Sequence, residues 1–390
     1  MKIVSLLALL LLSACATTPY TGRSQLLLVS EAQEASLGEE AYRHILRDSV
    51  PVDHPEAERI VRKVGERIAR VADRPDYKWE FRVINDPEMA NAFAVPGGKV
   101  AVYTGIFPVA RDENGLAVVL GHEIAHALLR HPGERLSQQQ LLALGLGVAG
   151  AAGVSPSVLQ ALGLGAGVGV ILPFGRSQES EADHVGLILM AKAGYDPRSA
   201  LELWERMERK ERGSPPEFLS THPSYETRMQ QLRAWMPEAL KHYRPVETRV
   251  EMLPPLHELD SPTARAEREL LKRIKQLNQK VGEPGGERAV VEAIGYGLGL
   301  NPNLVLRERQ AAHLGYGQYA ALRGISHLGR APIGRVAADY QRGVRWSLLA
   351  ENNGARLPEL IGWMGDLLRR TTMIQSQLSR QAPVPRYRAR

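Results

Sequence analysis

Hydrophobic side chains recur at helical spacing along most of this chain and alternate only in a short central stretch. Apolar residues at intervals of three and four predict helices over residues 31–47, 55–72, 112–130, 177–193, 198–211 and 224–235. Alternation over 77–84 predicts a half-buried strand, and 91–95 and 99–104 predict two more strands around a Pro-Gly-Gly turn. The predicted fold class is therefore α+β, mainly helical, with one small sheet.

An uncharged segment over residues 136–174 interrupts this pattern. It holds two glycine-rich apolar stretches, 141–154 and 158–172, on either side of a Ser-Pro-Ser sequence. Each stretch is shorter than the roughly 18–20 residues that a membrane-spanning helix needs. We therefore expect a hairpin of helices that are buried or touch the membrane near a functional cleft. A true transmembrane hairpin is the alternative.

The composition changes again after residue 245, where prolines become frequent. Residues 246–285 are predicted to be a linker together with an amphipathic helix over 264–281. Residues 286–372 predict a helical accessory domain without a catalytic constellation, so we expect this domain to bind or position a protein partner. Residues 373–390 form a basic tail, which is typical of a solvated, disordered end.

The N-terminal residues predict where the protein acts. A basic start at Lys2, an apolar stretch over 3–12 and the sequence Leu-Ser-Ala-Cys ending at Cys15 are typical of a signal peptide, 1–14, with a bacterial lipobox. Cys15 is the sole cysteine of the sequence, so it has no partner for an internal disulfide. We expect Cys15 to be lipidated and to anchor the protein on the periplasmic face of the bacterial cell envelope, at the outer membrane. A plain cleaved signal peptide is the alternative.

Charge and overall composition change this picture little. The chain has 49 basic and 43 acidic side chains, a net charge of +6, and 44% hydrophobic residues, which is an ordinary globular composition. No nucleic-acid recognition motif accompanies the positive charge, so nucleic-acid binding is not expected.

The helix predicted over 112–130 carries the most specific chemical signal. Residues 120–126 read Leu-Gly-His-Glu-Ile-Ala-His, which contains an intact H-E-x-x-H motif. His122 and His126 lie one helical turn apart, so both imidazoles can bind the same Zn²⁺. Glu123 lies beside them, placed to take a proton from the attacking water as a general base.

A catalytic zinc site usually has three protein ligands, and the third is not obvious from this motif alone. The metzincin pattern needs a glycine at 129 and a histidine at 132, where Leu129 and Pro132 stand instead. His131 comes five residues after His126, so a continuing helix would point it away from the ligand face. A structural or helix-terminal role is therefore the preferred interpretation of His131.

The remaining candidate is a carboxylate on a second helix. Residues 177–183 read Ser-Gln-Glu-Ser-Glu-Ala-Asp and open the predicted helix, with Ser177 as its N-cap. Glu179 and Asp183 share one face of that helix, whereas Glu181 faces elsewhere. An acidic first turn also complements a helix dipole, so a plain structural interpretation exists as well.

These motifs together resemble metallopeptidase family forty-eight, a gluzincin family that includes the CAAX prenyl endopeptidases and the HtpX, Oma-type and BepA-like proteases. The resemblance also rests on residues 29–38, on Asn-Ala-Phe-Ala-Val-Pro-Gly-Gly at 91–98, and on Ser-Thr-His-Pro-Ser-Tyr-Glu-Thr-Arg at 220–228. It covers roughly residues 23–240, and it implies a zincin-like metallopeptidase domain over residues 15–245.

The resemblance implies roles for five residues near the motif. It implies that His122, His126 and Glu179 bind one zinc ion per chain and that Glu123 is the catalytic base. It further implies that Asp183 hydrogen-bonds to a ligand histidine, which fixes the tautomer and orientation of that ring.

The resemblance also bears on how substrate meets the site. In zincins an extended peptide adds to the free edge of a strand beside the active-site helix, and the candidate edge here is Asn91, Ala92 and Phe93. A place in the core of the sheet is the alternative for these three residues. His222 is expected to be a displaceable fourth zinc ligand, an oxyanion donor or a helix cap, and Arg228 an oxyanion donor or a structural ion-pair partner.

The sequence thus predicts a zinc endopeptidase that hydrolyses misfolded or stalled proteins of the cell envelope, with His222 as a candidate latch. Its expected partners are unfolded or misassembled envelope polypeptides, the membrane through a lipid anchor, and a protein bound by the accessory domain. The alternative is a chaperone-like or adaptor lipoprotein with a closed, largely inactive zinc site. Glu123 favours the enzyme, because a purely structural zinc site has no use for a general base.

Overall fold

The structure is a computed structural model that describes residues 15–145, 175–211, 225–245 and 249–381. The signal peptide predicted over 1–14, residues 146–174 of the uncharged segment and residues 382–390 of the tail lie outside these ranges. The chain divides into two compact units. The first comprises Met1–Leu46 and Pro51–Asp260, and the second comprises Arg47–Val50 and Ser261–Arg390.

The first described elements of the first unit are β1 (Cys15–Thr17) and β2 (Ser24–Leu26), an antiparallel hairpin that the hydrophobic pattern did not predict. Its helices are α1 (Glu31–Arg47), α2 (Pro55–Val71), α3 (Phe107–Ala110), α4 (Glu113–Leu128), α5 (His131–Gly145), α6 (Arg176–Lys192), α7 (Ser199–Glu211), α8 (Tyr225–His242) and α9 (Leu256–Leu259). The predicted helix bounds agree to within two residues, except that α8 continues past Pro237 to His242.

A three-stranded sheet belongs to the same unit. It consists of β3 (Glu80–Ile84), β4 (Ala92–Val95) and β5 (Lys99–Tyr103) in the order β3-β5-β4. β5 runs parallel to β3 and antiparallel to β4. The turn between β4 and β5 needs Gly97 and Gly98, whose φ angles are +91° and +90°. β4 is therefore an edge strand of the described sheet, and it packs against α4.

Helix α4 lies at the centre of the first core. Asp112 caps its start by accepting a hydrogen bond from the Gly115 N–H at 3.0 Å, and all residues from 115 to 128 are buried. Helix α4 approaches α6 closely at Gly186, where a Cβ atom would lie 2.8 Å from the backbone of Gly121. This glycine contact brings the side chains of the two helices together over the next turns.

The predicted N-cap of α6 is wrong. The helix begins at Arg176, and the backbone N–H of Gly175 donates to the side chain of Gln178 at 3.1 Å, so Ser177 lies inside the first turn. The predicted end is correct, because Gly194 adopts a φ angle of +87° directly after the helix.

All regular elements described in the second unit are helices. It contains α10 (Pro262–Val281), α11 (Gly286–Leu298), α12 (Pro302–Ala311), α13 (Tyr316–Leu328), α14 (Ile333–Gln341), α15 (Trp346–Asn352) and α16 (Leu357–Gln381). It has its own apolar core, which includes the fully buried Leu270, Val290, Ala320, Leu349 and Leu360.

Two predicted boundaries change in this unit. Helix α10 was expected in a linker, but it packs against α13 and α16 because its apolar face carries Leu270, Ile274 and Leu277. Residues 373–381 were expected in the basic tail, but they continue α16. Among the described helices of both units, none is long and apolar enough to cross a membrane.

Candidate metal centre and active site

Three buried side chains from two helices converge on one small volume. His122 and His126 come from α4, and Glu179 comes from the first turn of α6. The Nε2 atoms of the two histidines are 3.1 Å apart, and they lie 3.6 Å and 3.4 Å from the carboxylate oxygens of Glu179. Each of the three residues is at most 3% exposed. They form the candidate metal-binding group within the described part of the chain.

This donor set fits zinc. Ligand distances of about 2.0–2.2 Å in a tetrahedral site separate neighbouring ligand atoms by about 3.3–3.6 Å, close to the three observed separations. Burial lowers the pKa of His126 well below its ordinary value, so the imidazole is neutral and offers a lone pair. Nitrogen lone pairs and a carboxylate that face one another repel, and a cation between them removes that repulsion.

Asp183 and Arg228 support the His122 side of this site. His122 Nδ1 donates to Asp183 Oδ1 at 2.8 Å, and Arg228 of α8 donates to both Asp183 and Glu179. The Arg228 guanidinium lies 3.9 Å from the centre of the Trp204 ring. Burial lowers the pKa of Arg228, but the two carboxylates raise it above its ordinary value, so it stays charged. These contacts favour the ion-pair alternative for Arg228 over oxyanion donation.

The structure corrects the expected orientation of His131. Helix α4 ends at Leu128, and Arg130 adopts a φ angle of +57°, which turns the chain before α5 begins. The His131 ring therefore lies behind His126, with the two Nδ1 atoms 2.8 Å apart. His131 Nε2 lies 3.1 Å from Glu181 Oε2, and the side chain is fully buried. These contacts agree with the structural role preferred for His131, but its ring lies against a ligand histidine instead of pointing away, because the chain turns after α4.

Two further contributors carried no sequence signal for the site. Trp204 of α7 packs edge-on to His122, with the ring centres 6.4 Å apart. Arg23, in the turn before β2, donates to Glu181 at 2.7 Å and to Glu134 at 2.7 and 2.8 Å. An apolar position on an amphipathic helix and a lone arginine in an irregular stretch do not indicate a metal site by themselves.

Glu123 lies in α4, and the edge strand β4 packs against the same helix. Glu123 is 3% exposed, and Ala92 and Phe93 lie in β4 with Asn91 directly before it. The Tyr103 N–H donates to the Asn91 carbonyl at 3.0 Å. Hydrogen-bonded pairs alternate along an antiparallel ladder. The backbone N–H and C=O of Phe93 therefore point toward β5, and those of Ala92 point away from β5. The Ala92 N–H donates to Asn91 Oδ1 at 2.9 Å, and Ala92 is 2% exposed, so the backbone at the predicted edge is covered in this structure.

His222 lies outside the described residues, together with the rest of the signature over 220–224. Its latch, oxyanion and capping alternatives therefore stay predictions. Cys15 is the first residue of β1, and its lipidation also stays a prediction.

Known proteins share this site-bearing region. Residues 55–236 match the family described as peptidase family M48. The chain is 38% identical over 227 residues to the mitochondrial metalloendopeptidase OMA1 of Schizosaccharomyces pombe, and 34% identical over 249 residues to that of Saccharomyces cerevisiae. It is 32% identical over 228 residues to the beta-barrel assembly-enhancing protease of Escherichia coli.

These matches cover only part of each protein. They span 57%, 58% and 56% of this chain, in the same order. They span 66% and 70% of the two yeast proteins and 46% of the Escherichia coli protein. The chain thus spans about two thirds of the yeast relatives and less than half of the bacterial one.

Proposed function

The chain belongs to peptidase family M48, and we propose that it is a zinc endopeptidase acting on misfolded or stalled proteins of the bacterial cell envelope. The observation that carries the proposal is the convergence of His122, His126 and Glu179 at zinc-ligand spacing. A buried carboxylate, Glu123, directly follows the first of these ligands. A ligand set with an adjacent base supports hydrolysis rather than a purely structural metal site.

Peptide-bond hydrolysis follows from the roles of these side chains. His122, His126 and Glu179 would hold the zinc ion, which would supply the positive charge that polarises the scissile carbonyl and acidifies the attacking water. Glu123 accepts a proton from that water as the water oxygen bonds to the carbonyl carbon. Glu123 then gives the proton to the peptide nitrogen as the C–N bond breaks, which leaves one new carboxyl and one new amino terminus.

The position of β4 at the edge of the described sheet, packed against α4, supports an unfolded polypeptide as substrate. A peptide that adds to this edge would replace the hydrogen bond that the Ala92 N–H donates to Asn91 Oδ1 at 2.9 Å. Main-chain bonds of this kind do not depend on the peptide's side chains. Only an extended segment can pair in this way, so a folded protein is excluded until it opens. This favours misfolded or stalled chains over one fixed sequence.

The envelope setting rests on sequence and on one relative. The lipobox-like residues that end at Cys15 and the bacterial beta-barrel assembly-enhancing protease support it, whereas the yeast relatives are named as mitochondrial. We propose a lipid anchor at Cys15, on the periplasmic face of the outer membrane, and a protein partner for the second unit. Mass spectrometry of the mature N-terminus checks the anchor, and a mature chain without acyl mass on Cys15 would contradict it.

The deep burial of the ligands favours one second candidate, a chaperone-like lipoprotein with a closed zinc site. One experiment separates the two. Zinc content and cleavage of unfolded β-casein are measured for the wild type and for Glu123→Gln. The enzyme is expected to lose about 10²–10⁴-fold in rate in this variant while keeping zinc and fold. Equal, negligible cleavage by both proteins, with aggregation of the casein suppressed by both, would favour the closed site.

A further inference from the structure

A continuous line of hydrogen-bonding groups joins the ring of His126 to the N-terminal hairpin. His126 Nδ1 lies 2.8 Å from His131 Nδ1, and His131 Nε2 lies 3.1 Å from Glu181. Glu181 in turn accepts a hydrogen bond from Arg23 Nε at 2.7 Å. His131 is fully buried and Glu181 is 8% exposed, so the line runs through the protein interior.

The chemistry of these groups determines where each proton lies. An ionised carboxylate only accepts, so Glu181 requires a proton on Nε2 of His131. A neutral imidazole has one proton, so His131 Nδ1 is left as an acceptor and must receive the Nδ1 proton of His126. His126 Nε2 is then unprotonated, and this is the nitrogen that faces His122 and Glu179. The line thus selects the tautomer of His126 that can bind a metal.

The far end of the line is held by the hairpin. Thr18 and Thr21 both donate their hydroxyl groups to Glu181, in addition to Arg23. Arg23 also forms a two-point contact with Glu134 of α5, which itself accepts from Gln178 at 2.7 Å. These bonds leave little freedom for the Glu181 carboxylate to turn away from His131.

We propose that His131 and Glu181 are positioning residues for the zinc ligand His126, and that the hairpin Cys15–Leu26 holds them in place through Arg23. The inference rests on the proposed function, since it concerns how tightly the same site holds zinc. It gives the hairpin a role that its sequence does not reveal. The residues next to the predicted lipid anchor become part of the support of the metal centre.

Two substitutions of His131 test the first half of the proposal. His131→Leu removes the acceptor for His126, and we expect zinc affinity to fall by about 10–100-fold, the usual cost of losing such a partner. His131→Asn places a carbonyl oxygen close to the former Nδ1 position, so it should recover most of that loss. Zinc affinity is measured on the full chain by competition with a chelator, and the thermal midpoint of the zinc-free protein is measured beside it.

Substitutions of two matched basic residues, Arg23 and Lys63, test the proposed role of the hairpin. Arg23 and Lys63 are both about a quarter exposed (27% and 22%), and each bridges two carboxylates. Arg23→Met should lower zinc affinity several-fold, by less than the loss in His131→Leu. Lys63→Met removes the cation between Glu113 and Glu251, which lie outside the line, and Glu251 keeps its ion pair with Arg59. This variant should lower the thermal midpoint and leave zinc affinity within about twofold.

The outcomes distinguish this inference from the proposed function. A wild-type chain that binds no zinc overturns both. If the wild-type chain binds zinc tightly and both His131→Leu and His131→Asn bind it with wild-type affinity, the positioning role alone is overturned. Equal losses of zinc affinity in Arg23→Met and Lys63→Met overturn the role of the hairpin, because they would show a general effect of lost stability.

Discussion

The two imidazoles of the metal site lie one turn apart on α4, yet they are supported in different ways. His122 donates directly to the carboxylate of Asp183, and Arg228 neutralises that carboxylate within the same buried cluster. His126 instead meets another imidazole, His131, and the next carboxylate lies beyond that ring. One support is short and charged, and the other is longer and partly neutral.

This difference has an energetic consequence. In a direct ion-pair cluster, the loss of one residue costs much stability, because removing one charge leaves the others buried without compensation. A line through a neutral ring spreads the effect over several hydrogen bonds, each of which contributes about 0.5–1.5 kcal/mol net. The direct support is therefore strong and local, whereas the longer one connects the metal site to a distant segment of the chain.

The largest expected effect comes from removing Glu179, the ligand that faces both histidines. Glu179→Ala removes the only carboxylate that faces both imidazoles in the described site. We expect zinc affinity to fall by more than about 10²-fold, beyond the range for outer hydrogen-bond partners. Chelator competition and metal analysis measure this. Full zinc stoichiometry at wild-type affinity would remove Glu179 from the ligand set.

The charged support is tested by Arg228→Met. The change leaves Asp183 and Glu179 buried without their guanidinium, so the free energy of unfolding should fall by about 3–5 kcal/mol. Arg206→Met is the control, since Arg206 donates to backbone carbonyls of residues 109 and 110 and should lose only about 1–3 kcal/mol. Chemical denaturation of the zinc-free proteins measures both. Equal losses would mean that the Arg228 ion pairs add nothing to its packing.

The two supports are compared directly by one substitution in each. Asp183→Asn weakens the carboxylate that contacts His122, and Glu181→Gln weakens the one that reaches His126 through His131. We expect Asp183→Asn to lower zinc affinity by about 10–100-fold and Glu181→Gln to lower it less, because an intervening ring attenuates the change. The reverse order would show that the longer line is the dominant support.

The smallest expected effect is the pH dependence of stability that comes from Glu181. Burial raises the pKa of Glu181, but hydrogen bonds from His131, Thr21 and Arg23 lower it to a net value of about 2, below its ordinary 4.5. A depressed folded-state pKa stabilises the fold above about pH 4.5, and this contribution is lost as pH falls toward 2. The stability difference between wild type and Glu181→Gln, from urea unfolding of the zinc-free proteins, should therefore shrink in that range. A stability difference that stays constant between pH 4.5 and 2 would contradict this role of Glu181.

The sequence by itself determined the parts of the site that lie within one helix. Regular helix geometry places His122 with His126, and Glu179 with Asp183, on common faces whatever surrounds them. Strong periodicity likewise predicted six helices of the first unit to within two residues at nearly every bound, and the Pro-Gly-Gly turn predicted where β4 meets β5. Local geometry needs no knowledge of distant segments.

Tertiary structure alone decided what surrounds those ligands. The contact between His131 and Glu181 joins positions 50 residues apart, and that between Arg23 and Glu181 joins positions 158 apart. The first depends on the turn at Arg130, where a positive φ angle just after the end of α4 changes the direction of the chain. The packing of α10 against α13 and α16 within the second unit is of the same kind. Such contacts form only when separate elements pack, because hydrogen bonds and apolar burial between them depend on the relative placement of whole helices and strands.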